Sequence, residues 1–321
     1  MLRKDSARGG KSLNRGFGFR CFLEVDLLLR HPRGMTQKLG SPGEARGWCA
    51  DARARGRRVG FVPTMGALHE GHLSLVRRAR EECGCAVVSV FVNPLQFNDP
   101  KDLERYPRDF EGDARMLAGV GCDLVFTGTL EQFFPESGGD ARRVVGSEPG
   151  PAARGLEGAR RPGHFEGVAT IVRRLFELVE PARAYFGEKD FQQTLVVRDL
   201  ARRMGRPEIV VCPTEREPDG VARSSRNALL EPAWRARAPA IHRALQAARG
   251  AWRERGVQDG AELERTMRAV LAPHFPDIDY AEVRDPDAWT ELMPTTPLAR
   301  AQALIAVRAG SVRLIDNLRL D

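Results

Sequence analysis

The apolar positions of the chain alternate between short continuous runs and longer stretches with helical spacing. Helical spacing is clear in residues 73–79 and 168–179. The continuous apolar runs are typical of buried parallel strands, and they are residues 58–62, 86–92, 123–126, 182–186 and 209–212. This alternation of strands and helices predicts an α/β fold with a Rossmann-like, doubly wound parallel sheet.

The pattern changes at two places along the chain. Residues 137–163 are rich in Gly, Pro and Arg, which predicts a flexible excursion between two elements. Further on, Ala/Arg/Glu-rich helices over 232–255 and 259–272 precede three strand-like runs, the last two of which flank Ala309-Gly310-Ser311 as an antiparallel hairpin. We therefore expect a second, smaller domain of the α+β type. The expected domains are a Rossmann-like domain over 35–213 and a C-terminal domain over 214–321.

Residues 1–34 are rich in Gly and Arg without periodicity, and we expect them to form a disordered basic extension. Three interpretations stay open. The extension can be an artefact of an upstream start, with Met35 as the true one, or a basic tail without a specific role. It can also be an RNA-binding or organelle-targeting segment, although its three acidic residues argue against a transit peptide.

Charge and cysteine content narrow the classes of function. The net charge is +7, but residues 1–34 carry eight Lys or Arg and three acidic residues, so most of the excess lies there and a nucleic-acid partner is not favoured. No apolar run has the length needed to cross a bilayer. None of the six cysteines forms a CxxC pair, which indicates reduced thiols in a cytoplasmic protein.

The stretch from Pro63 to His72 carries the most chemistry. It joins a predicted strand to a predicted helix, and Gly66 and Gly71 allow a tight turn and a close approach of a ligand. His69 and His72 lie three residues apart and share one face of the helix start, where free N–H groups favour anions. The stretch predicts a phosphate site that can donate protons. A surface pair or two zinc ligands are the alternatives, but no other residues have zinc-site spacing.

Two more polar turns follow predicted strands, at residues 93–98 and 187–193. Open α/β sheets bind ligands at the carboxyl ends of their strands, so we expect these turns to converge with residues 63–72. Lys189 is suited to meet a phosphate as a point charge, unless it is a solvated lysine at a helix start. The Ser224-Ser225-Arg226 tripeptide offers hydroxyls and a guanidinium to phosphate oxygens, although it can equally be a helix cap with a surface arginine.

Together these segments resemble the pantoate–β-alanine ligase (pantothenate synthetase) family of the HxGH nucleotidyltransferases. FVNPLQF and FGEKDFQQ are more specific for this family than the HxGH motif alone. The similarity covers most of residues 57–230 and is weaker to the end. The matching segments are PTMGALHEGH (63–72), VSVFVNPLQF (88–97), RYPR (105–108), LEGARRPGHFEGVATIV (156–172), AYFGEKDFQQ (184–193), DGVARSSRN (219–227) and RLIDN (313–317).

The resemblance implies a reaction in two steps. Enzymes of this family use ATP and magnesium to adenylate pantoate, with release of pyrophosphate. The amine of β-alanine then attacks the pantoyl adenylate to give pantothenate and AMP. The resemblance further implies that residues 35–213 bind ATP and pantoate, that residues 214–321 act as a lid, and that the protein is a cytoplasmic homodimer.

The resemblance also implies roles for individual residues. His69, His72 and Lys189 would be catalytic, with His72 as the proton donor, and Asp113 matches an acidic position near the metal. Gln96, Gln193 and Asn93 would bind pantoate or β-alanine, and Asn93 would also support the triphosphate side. The implied ATP contacts are Met65, Gly66, Ala67, Leu68, His69, Glu70, Gly71, His72, Gly187, Glu188, Lys189, Asp190, Arg223, Ser224, Ser225 and Arg226.

The sequence departs from the family pattern in places. Arg223 stands where the family usually has an apolar residue, and we expect it to point to solvent rather than to add a phosphate contact. Ala228 and Leu229 replace a stretch that usually bears an aromatic residue. A rival hypothesis is another HxGH nucleotidyltransferase with a phosphate-bearing acceptor, which would need a basic pocket in place of Gln96 and Gln193. An RNA-binding module is a second rival, and it rests on the basic extension alone.

Overall fold

In the computed structural model, the described residues 36–321 carry two separate sheets with helices packed against them. The predictions for the extension 1–34 concern residues outside this range. The described residues group as one compact unit, Thr36–Asp321, so the domain boundary expected between residues 213 and 214 stays a prediction. No helix in the described range is long and apolar enough to cross a membrane.

The larger sheet is entirely parallel, as the sequence predicts. Its strands are β1 (Gln37–Leu39), β2 (Gly60–Thr64), β3 (Ala86–Val90), β4 (Leu124–Phe126), β5 (Arg183–Gly187) and β6 (Glu208–Cys212). The strand order is β1-β4-β3-β2-β5-β6, so the direction of winding reverses between β2 and β5. The sequence did not indicate β1, because this edge strand has only three residues and no apolar run.

Helices cover both faces of this sheet. Cys49 of α1 (Pro42–Ala54) and Val172 of α7 (His164–Val179) pack in one apolar core against Phe61, whereas Val76 of α2 (Glu70–Cys83) packs in a second core against Val62. The alternation of Phe61 and Val62 between the two cores follows from the two-residue period of a strand. The helices up to β6 are α1 (Pro42–Ala54), α2 (Glu70–Cys83), α3 (Pro100–Arg105), α4 (Phe110–Gly119), α5 (Leu130–Phe133), α6 (Leu156–Arg160), α7 (His164–Val179) and α8 (Phe191–Met204).

The segment 137–163 is more ordered than its composition indicates. It contains α6 and short 3₁₀ turns at Ala141–Arg143 and Pro151–Ala153. The side-chain amide of Gln192 donates to the carbonyls of Ala152, Arg154 and Gly155. The side chain that holds this segment thus belongs to α8, about forty residues further along the chain. The local composition of the segment cannot indicate such a contact.

The strands β2 and β5 diverge toward their carboxyl ends. Their pairing ends at Phe61 and Ala184, whereas the pairing of β2 with β3 continues to Thr64. Alternate residues of a strand bond to opposite neighbours, and the Thr64 carbonyl accepts the N–H of Phe91 on the β3 side. Pro63 therefore faces β5, where its missing N–H cannot extend the ladder. The divergence opens a crevice where the winding reverses, the usual ligand position in such sheets.

The smaller sheet is antiparallel and confirms the predicted C-terminal α+β arrangement. It comprises β7 (Ile278–Arg284), β8 (Gln302–Ala309) and β9 (Val312–Arg319), and β8 and β9 form the predicted hairpin. Its helices are α9 (Pro232–Arg237), α10 (Pro239–Arg255) and α11 (Gly260–Leu271). The single helix expected over 232–255 divides at Pro239, because proline lacks the N–H that a continuous helix needs.

Candidate active site

A cavity of about 230 Å³ lies in the crevice between β2 and β5. The polar turns after β2, β3 and β5 all contribute to its wall, so the predicted convergence of these turns is confirmed. Its lining includes Met65, His69, Gly71, His72, Asn93, Gln96, Gly187, Lys189, Asp190, Gln193, Arg223, Ser224, Ser225 and Arg226. The other predicted site residues, which are Gly66, Ala67, Leu68, Glu70, Asp113 and Glu188, do not line it.

His69 and His72 cap the start of α2 with their own side chains. His69 Nδ1 accepts the N–H of Gly71 at 3.1 Å, and His72 Nδ1 accepts the N–H of His69 at 3.4 Å. A neutral imidazole that accepts through Nδ1 carries its proton on Nε2. Among residues 36–321 neither Nε2 has a hydrogen-bond partner, so both histidines can offer an N–H donor to a ligand in the cavity.

Both histidines are neutral at neutral pH. Burial, together with Lys189 and Arg223, lowers the pKa of His69 to about 4. Burial, the neighbouring His69 and Lys189 lower the pKa of His72 to about 3. The pair therefore supplies uncharged donors, and the positive charge of the cavity comes from lysine and arginine.

Asp113 of α4 holds the turn that leads into α2. Its two carboxylate oxygens accept the N–H groups of Ala67 at 3.1 Å and Leu68 at 2.8 Å. Ala67 is in the left-handed region with φ of 51°, and Gly66 has φ of 84°. A Cβ on Gly66 would lie 2.8 Å from Asp113 Oδ2, so this position requires glycine. Burial raises the pKa of Asp113, and the two N–H groups oppose that rise.

Asn93 orients Gln96 toward the cavity. The Asn93 amide nitrogen donates to Gln96 Oε1 at 3.0 Å and to the Gly167 carbonyl at 3.1 Å. Gln96 Oε1 is thereby occupied, and the Gln96 amide nitrogen donates to Met65 Sδ at 2.9 Å, which leaves it one further N–H. Asn93 is only 1% exposed. The Asn93 side chain therefore bonds within the protein, whereas Gln96 lines the cavity with one N–H of its amide unpaired.

The cationic side of the cavity comes from three segments. Lys189 follows β5, and its ammonium nitrogen lies 3.7 Å from Asp190 Oδ1. Arg226 lies in the 3₁₀ turn Ser225–Leu229 and makes an ion pair with Asp102 of α3 at 3.3 Å. Arg223 is half-buried in the wall and acts electrostatically on His69, so the expectation that it points to solvent was wrong.

Three further residues of the wall, Tyr106, Arg161 and His164, have no role predicted from the sequence. His164 Nδ1 donates to the Gln96 carbonyl at 2.9 Å, which leaves its Nε2 to accept from Arg161 at 3.2 Å. Burial and Arg161 lower the pKa of His164 to about 4, so it stays neutral. Two segments of the sequence could have indicated these residues. RYPR and RPGHF each place charged and aromatic side chains at or just before the start of a helix.

No group of three His, Cys, Asp or Glu side chains that could hold a metal lies within the part of the chain that the structure describes. The five cysteines in that part are free and buried. The cavity thus offers cationic side chains, two neutral imidazole donors and the neutral amides of Gln96 and Gln193. Together with the doubly wound sheet, these features define an enzyme of the HxGH nucleotidyltransferase class.

Comparison with known proteins gives the family within that class. The family model described as pantoate-beta-alanine ligase matches residues 37–319. The pantothenate synthetase of Rubrobacter xylanophilus is 51% identical over 290 residues, which cover 88% of this chain and 98% of that protein. That of Cereibacter sphaeroides is 49% identical over 288 residues, with 88% and 99% covered. The chain belongs to the pantoate–β-alanine ligase family.

Solved structures agree with this assignment. The pantothenate synthetase of Thermus thermophilus superimposes with a TM-score of 0.80 at 45% identity and covers 88% of this chain and 99% of its own. A pantoate-beta-alanine ligase from Francisella tularensis, complexed with beta-gamma ATP and beta-alanine, has a TM-score of 0.69 at 30% identity, with 89% and 98% covered. These comparisons support an ATP-dependent condensation of pantoate with β-alanine as the activity of the chain.

Proposed function

We propose that the cavity divides into a phosphate side and an acid side. His69, His72, Lys189 and the Ser224–Arg226 segment bind the triphosphate of ATP, and Gln96 and Gln193 bind pantoate. The observation that carries this proposal is that cationic donors and uncharged amides line one cavity at the opening between β2 and β5. An acceptor that itself bears a phosphate would need cations where Gln96 and Gln193 lie.

In the first step a carboxylate oxygen of pantoate attacks the α-phosphorus of ATP, and the bond to pyrophosphate breaks. The attacking carboxylate is already an anion at neutral pH, so the step needs no general base. Its barrier lies in bringing anions together and in stabilising charge on the phosphate oxygens, which positioned donors and cations supply. We assign this task to Lys189, to Arg226 and to the Nε2–H groups of His69 and His72.

Neutral amides suit the attacking acid. Gln96 and Gln193 can fix the orientation of pantoate without pairing its carboxylate with a cation that would weaken its attack. The Asn93 contact supports this role, because it leaves the amide nitrogen of Gln96 as the group that a substrate oxygen meets. The amide of Gln193 has no hydrogen-bond partner among residues 36–321, so it too is available to a ligand.

In the second step the amine of β-alanine attacks the carbonyl carbon of the pantoyl adenylate, and AMP leaves. Arg161 offers a cation for the carboxylate of β-alanine, because it lies beside Gln96 at 3.3 Å from the Gln96 carbonyl. The mixed anhydride must be protected from water, so we propose that the Ser225–Leu229 turn closes the site. The contact of Arg226 with Asp102 supports this idea.

Magnesium, which the resemblance implies, would enter with ATP. Both oxygens of Asp113 already accept backbone N–H groups, and residues 36–321 gather no set of three ligands. Magnesium commonly keeps its waters and binds substrate phosphates rather than a cage of protein ligands. We therefore propose that Asp113 acts through the turn it holds, and its predicted contact with the metal stays a prediction.

The homodimer and the cytoplasmic location that the resemblance implies also stay predictions. No described residue was assigned to a subunit interface from the sequence. Light scattering on purified protein would measure the mass, and a value of one chain would contradict the homodimer. Fractionation of the source cells would test the location.

The decisive experiment measures AMP formation from ATP, pantoate and β-alanine, with each substrate omitted in turn. We expect AMP only when all three are present. Exchange of labelled pyrophosphate into ATP should need pantoate but not β-alanine, because the first step is reversible and complete without the amine. Exchange that proceeds without pantoate would contradict the proposed order of steps.

A further inference from the structure

The segment RLIDN, residues 313–317 in β9, matched the family but received no role in the proposal above. Its polar side chains reach three segments outside the C-terminal sheet, and one of these segments, the turn that carries Lys189, lies in the wall of the site. Arg313 makes a bidentate ion pair with Glu157 of α6, and Asp316 makes one with Arg216. Asn317 reaches the turn that carries Lys189. The C-terminal sheet therefore touches the site through this strand.

The contact of Asn317 is specific. Its amide nitrogen donates to the carbonyls of Glu188 and Lys189, at 2.9 Å and 2.8 Å, and the residue is 3% exposed. Carbonyl oxygens only accept hydrogen bonds, so the orientation of the Asn317 amide is fixed by its partners. Its Oδ1 then accepts from the Gln302 amide nitrogen at 2.7 Å.

The orientation of the Asn317 amide leaves one polar atom of its neighbour Gln302 without a partner among residues 36–321. Because Gln302 must donate to Asn317, its own Oε1 is buried without a hydrogen-bond partner. An unpaired buried acceptor is unfavourable. The two amides are thus arranged to serve the Glu188–Asp190 turn and leave one of their own acceptors unsatisfied.

The Glu188–Asp190 turn has little local support. It is a single 3₁₀ turn whose N-cap, Gly187, supplies no side-chain hydrogen bond. Asp190 is the N-cap of α8 and also makes no side-chain capping bond. Among residues 36–321, the side-chain hydrogen bonds to the backbone of this turn come from Asn317 in β9, more than a hundred residues along the chain.

We propose that Asn317 is a positioning residue for Lys189, and through it for adenylation of pantoate. This inference rests on the proposed role of Lys189 at the phosphates. By fixing the two carbonyls on either side of the Lys189 Cα, Asn317 sets where the ammonium lies relative to the triphosphate. The second step no longer involves pyrophosphate, so it does not depend on this position.

The test compares Asn317→Leu and Asn317→Asp with the unaltered chain. Leucine removes both donors at similar volume, and aspartate turns oxygens toward the two carbonyls. We expect pantoate-dependent pyrophosphate exchange to fall about 10- to 100-fold in each variant, the usual effect of a misplaced catalytic group. Conversion of supplied pantoyl adenylate by β-alanine should stay within about twofold, by the same reasoning on position.

Val307→Ala is the matched control, since Val307 is buried in the C-terminal core and does not touch the turn. It should lower the melting temperature and leave both half-reactions unchanged. If the Asn317 variants slow both half-reactions equally, or if both rates fall in Val307→Ala as well, Asn317 is only structural and the proposal is overturned.

A double variant separates this inference from the proposed function. Asn317→Leu should have little further effect on exchange when Lys189→Ala is already present. Independent, multiplicative losses would overturn the action of Asn317 through Lys189. If Lys189→Ala alone leaves exchange unchanged, the proposed role of Lys189 itself fails, whatever Asn317 does.

Discussion

The imidazole rings of His69 and His72 lie 4.2 Å apart between centroids, and each accepts a backbone N–H of the first turn of α2 through Nδ1. The groups that start the helix are therefore the same groups that meet the cavity. A proton added at either Nδ1 would remove a helix cap, and the two rings would repel each other if both were charged. The two imidazoles are therefore neutral, and each can donate a hydrogen bond through its Nε2–H.

The rate of the first step should therefore be independent of pH between about 5.5 and 8, well above the lowered pKa values of His69 and His72, about 4 and about 3. A histidine that had to be protonated would instead lose activity as pH rises through its ordinary pKa of about 6.5. The measurement is pyrophosphate exchange against pH with ATP, magnesium and pantoate saturating. A loss of rate centred near pH 6.5 would show that an imidazolium is needed.

Replacement of His72 can separate its two tasks. Asparagine retains an acceptor near the position of Nδ1 for the N–H of the N-cap residue His69, but it has no group at the position of Nε2. We expect His72→Asn to fold with nearly unchanged melting temperature and to lose about 100-fold in pyrophosphate exchange, the usual effect of removing one donor to a transition state. His72→Gln is the matched variant, because its amide nitrogen can approach the position of Nε2. It should retain more activity than His72→Asn, and the reverse order would contradict the assignment.

Gln193 should matter for pantoate much more than for ATP. Its amide lines the cavity without a partner among residues 36–321, so Gln193→Ala removes a substrate contact without leaving a protein group unpaired. We expect the KM for pantoate to rise about tenfold or more, as for a hydrogen bond to a charged group, with the KM for ATP little changed. Steady-state kinetics with each substrate varied in turn measures both. Unchanged pantoate affinity would rule out this contact.

Asp113→Asn distinguishes a residue that holds the turn from a metal ligand. The amide keeps one acceptor but turns its N–H₂ toward a backbone N–H, so one of the two bonds to Ala67 and Leu68 is lost. We expect the free energy of unfolding to fall by about 1–3 kcal/mol. The dependence of exchange on magnesium concentration should not change. A large shift in that dependence with unaltered stability would support the metal contact instead.

The sequence could predict the local parts of this site. The turns after β2, β3 and β5 each follow an apolar run, and their polar residues are contiguous in the chain, so the position of His69, Gln96 and Lys189 at one sheet edge follows from the parallel topology. The hairpin of β8 and β9 was predictable for the same reason, because its two strands adjoin one short turn.

The contacts that the sequence did not predict join residues that are distant in the chain. Asn317 meets the Lys189 turn across 128 residues, and Tyr280 meets Glu157 across 123. Nothing in the local pattern around Asn317 indicates which loop it holds. The same reason explains why segment 137–163 was expected to be flexible, since its hydrogen bonds to Gln192 come from α8.

At Pro63 the sheet lacks one hydrogen-bond donor at the place where the cavity opens. Pro63 has no N–H to donate to β5, and it lies just beyond the last β2–β5 pair, Phe61 with Ala184. The opening of the cavity thus coincides with a residue whose covalent structure cannot donate to β5. Natural enzymes commonly give up stability where activity requires it, and here the sacrifice is a single hydrogen-bond donor at the point where the two halves of the sheet separate.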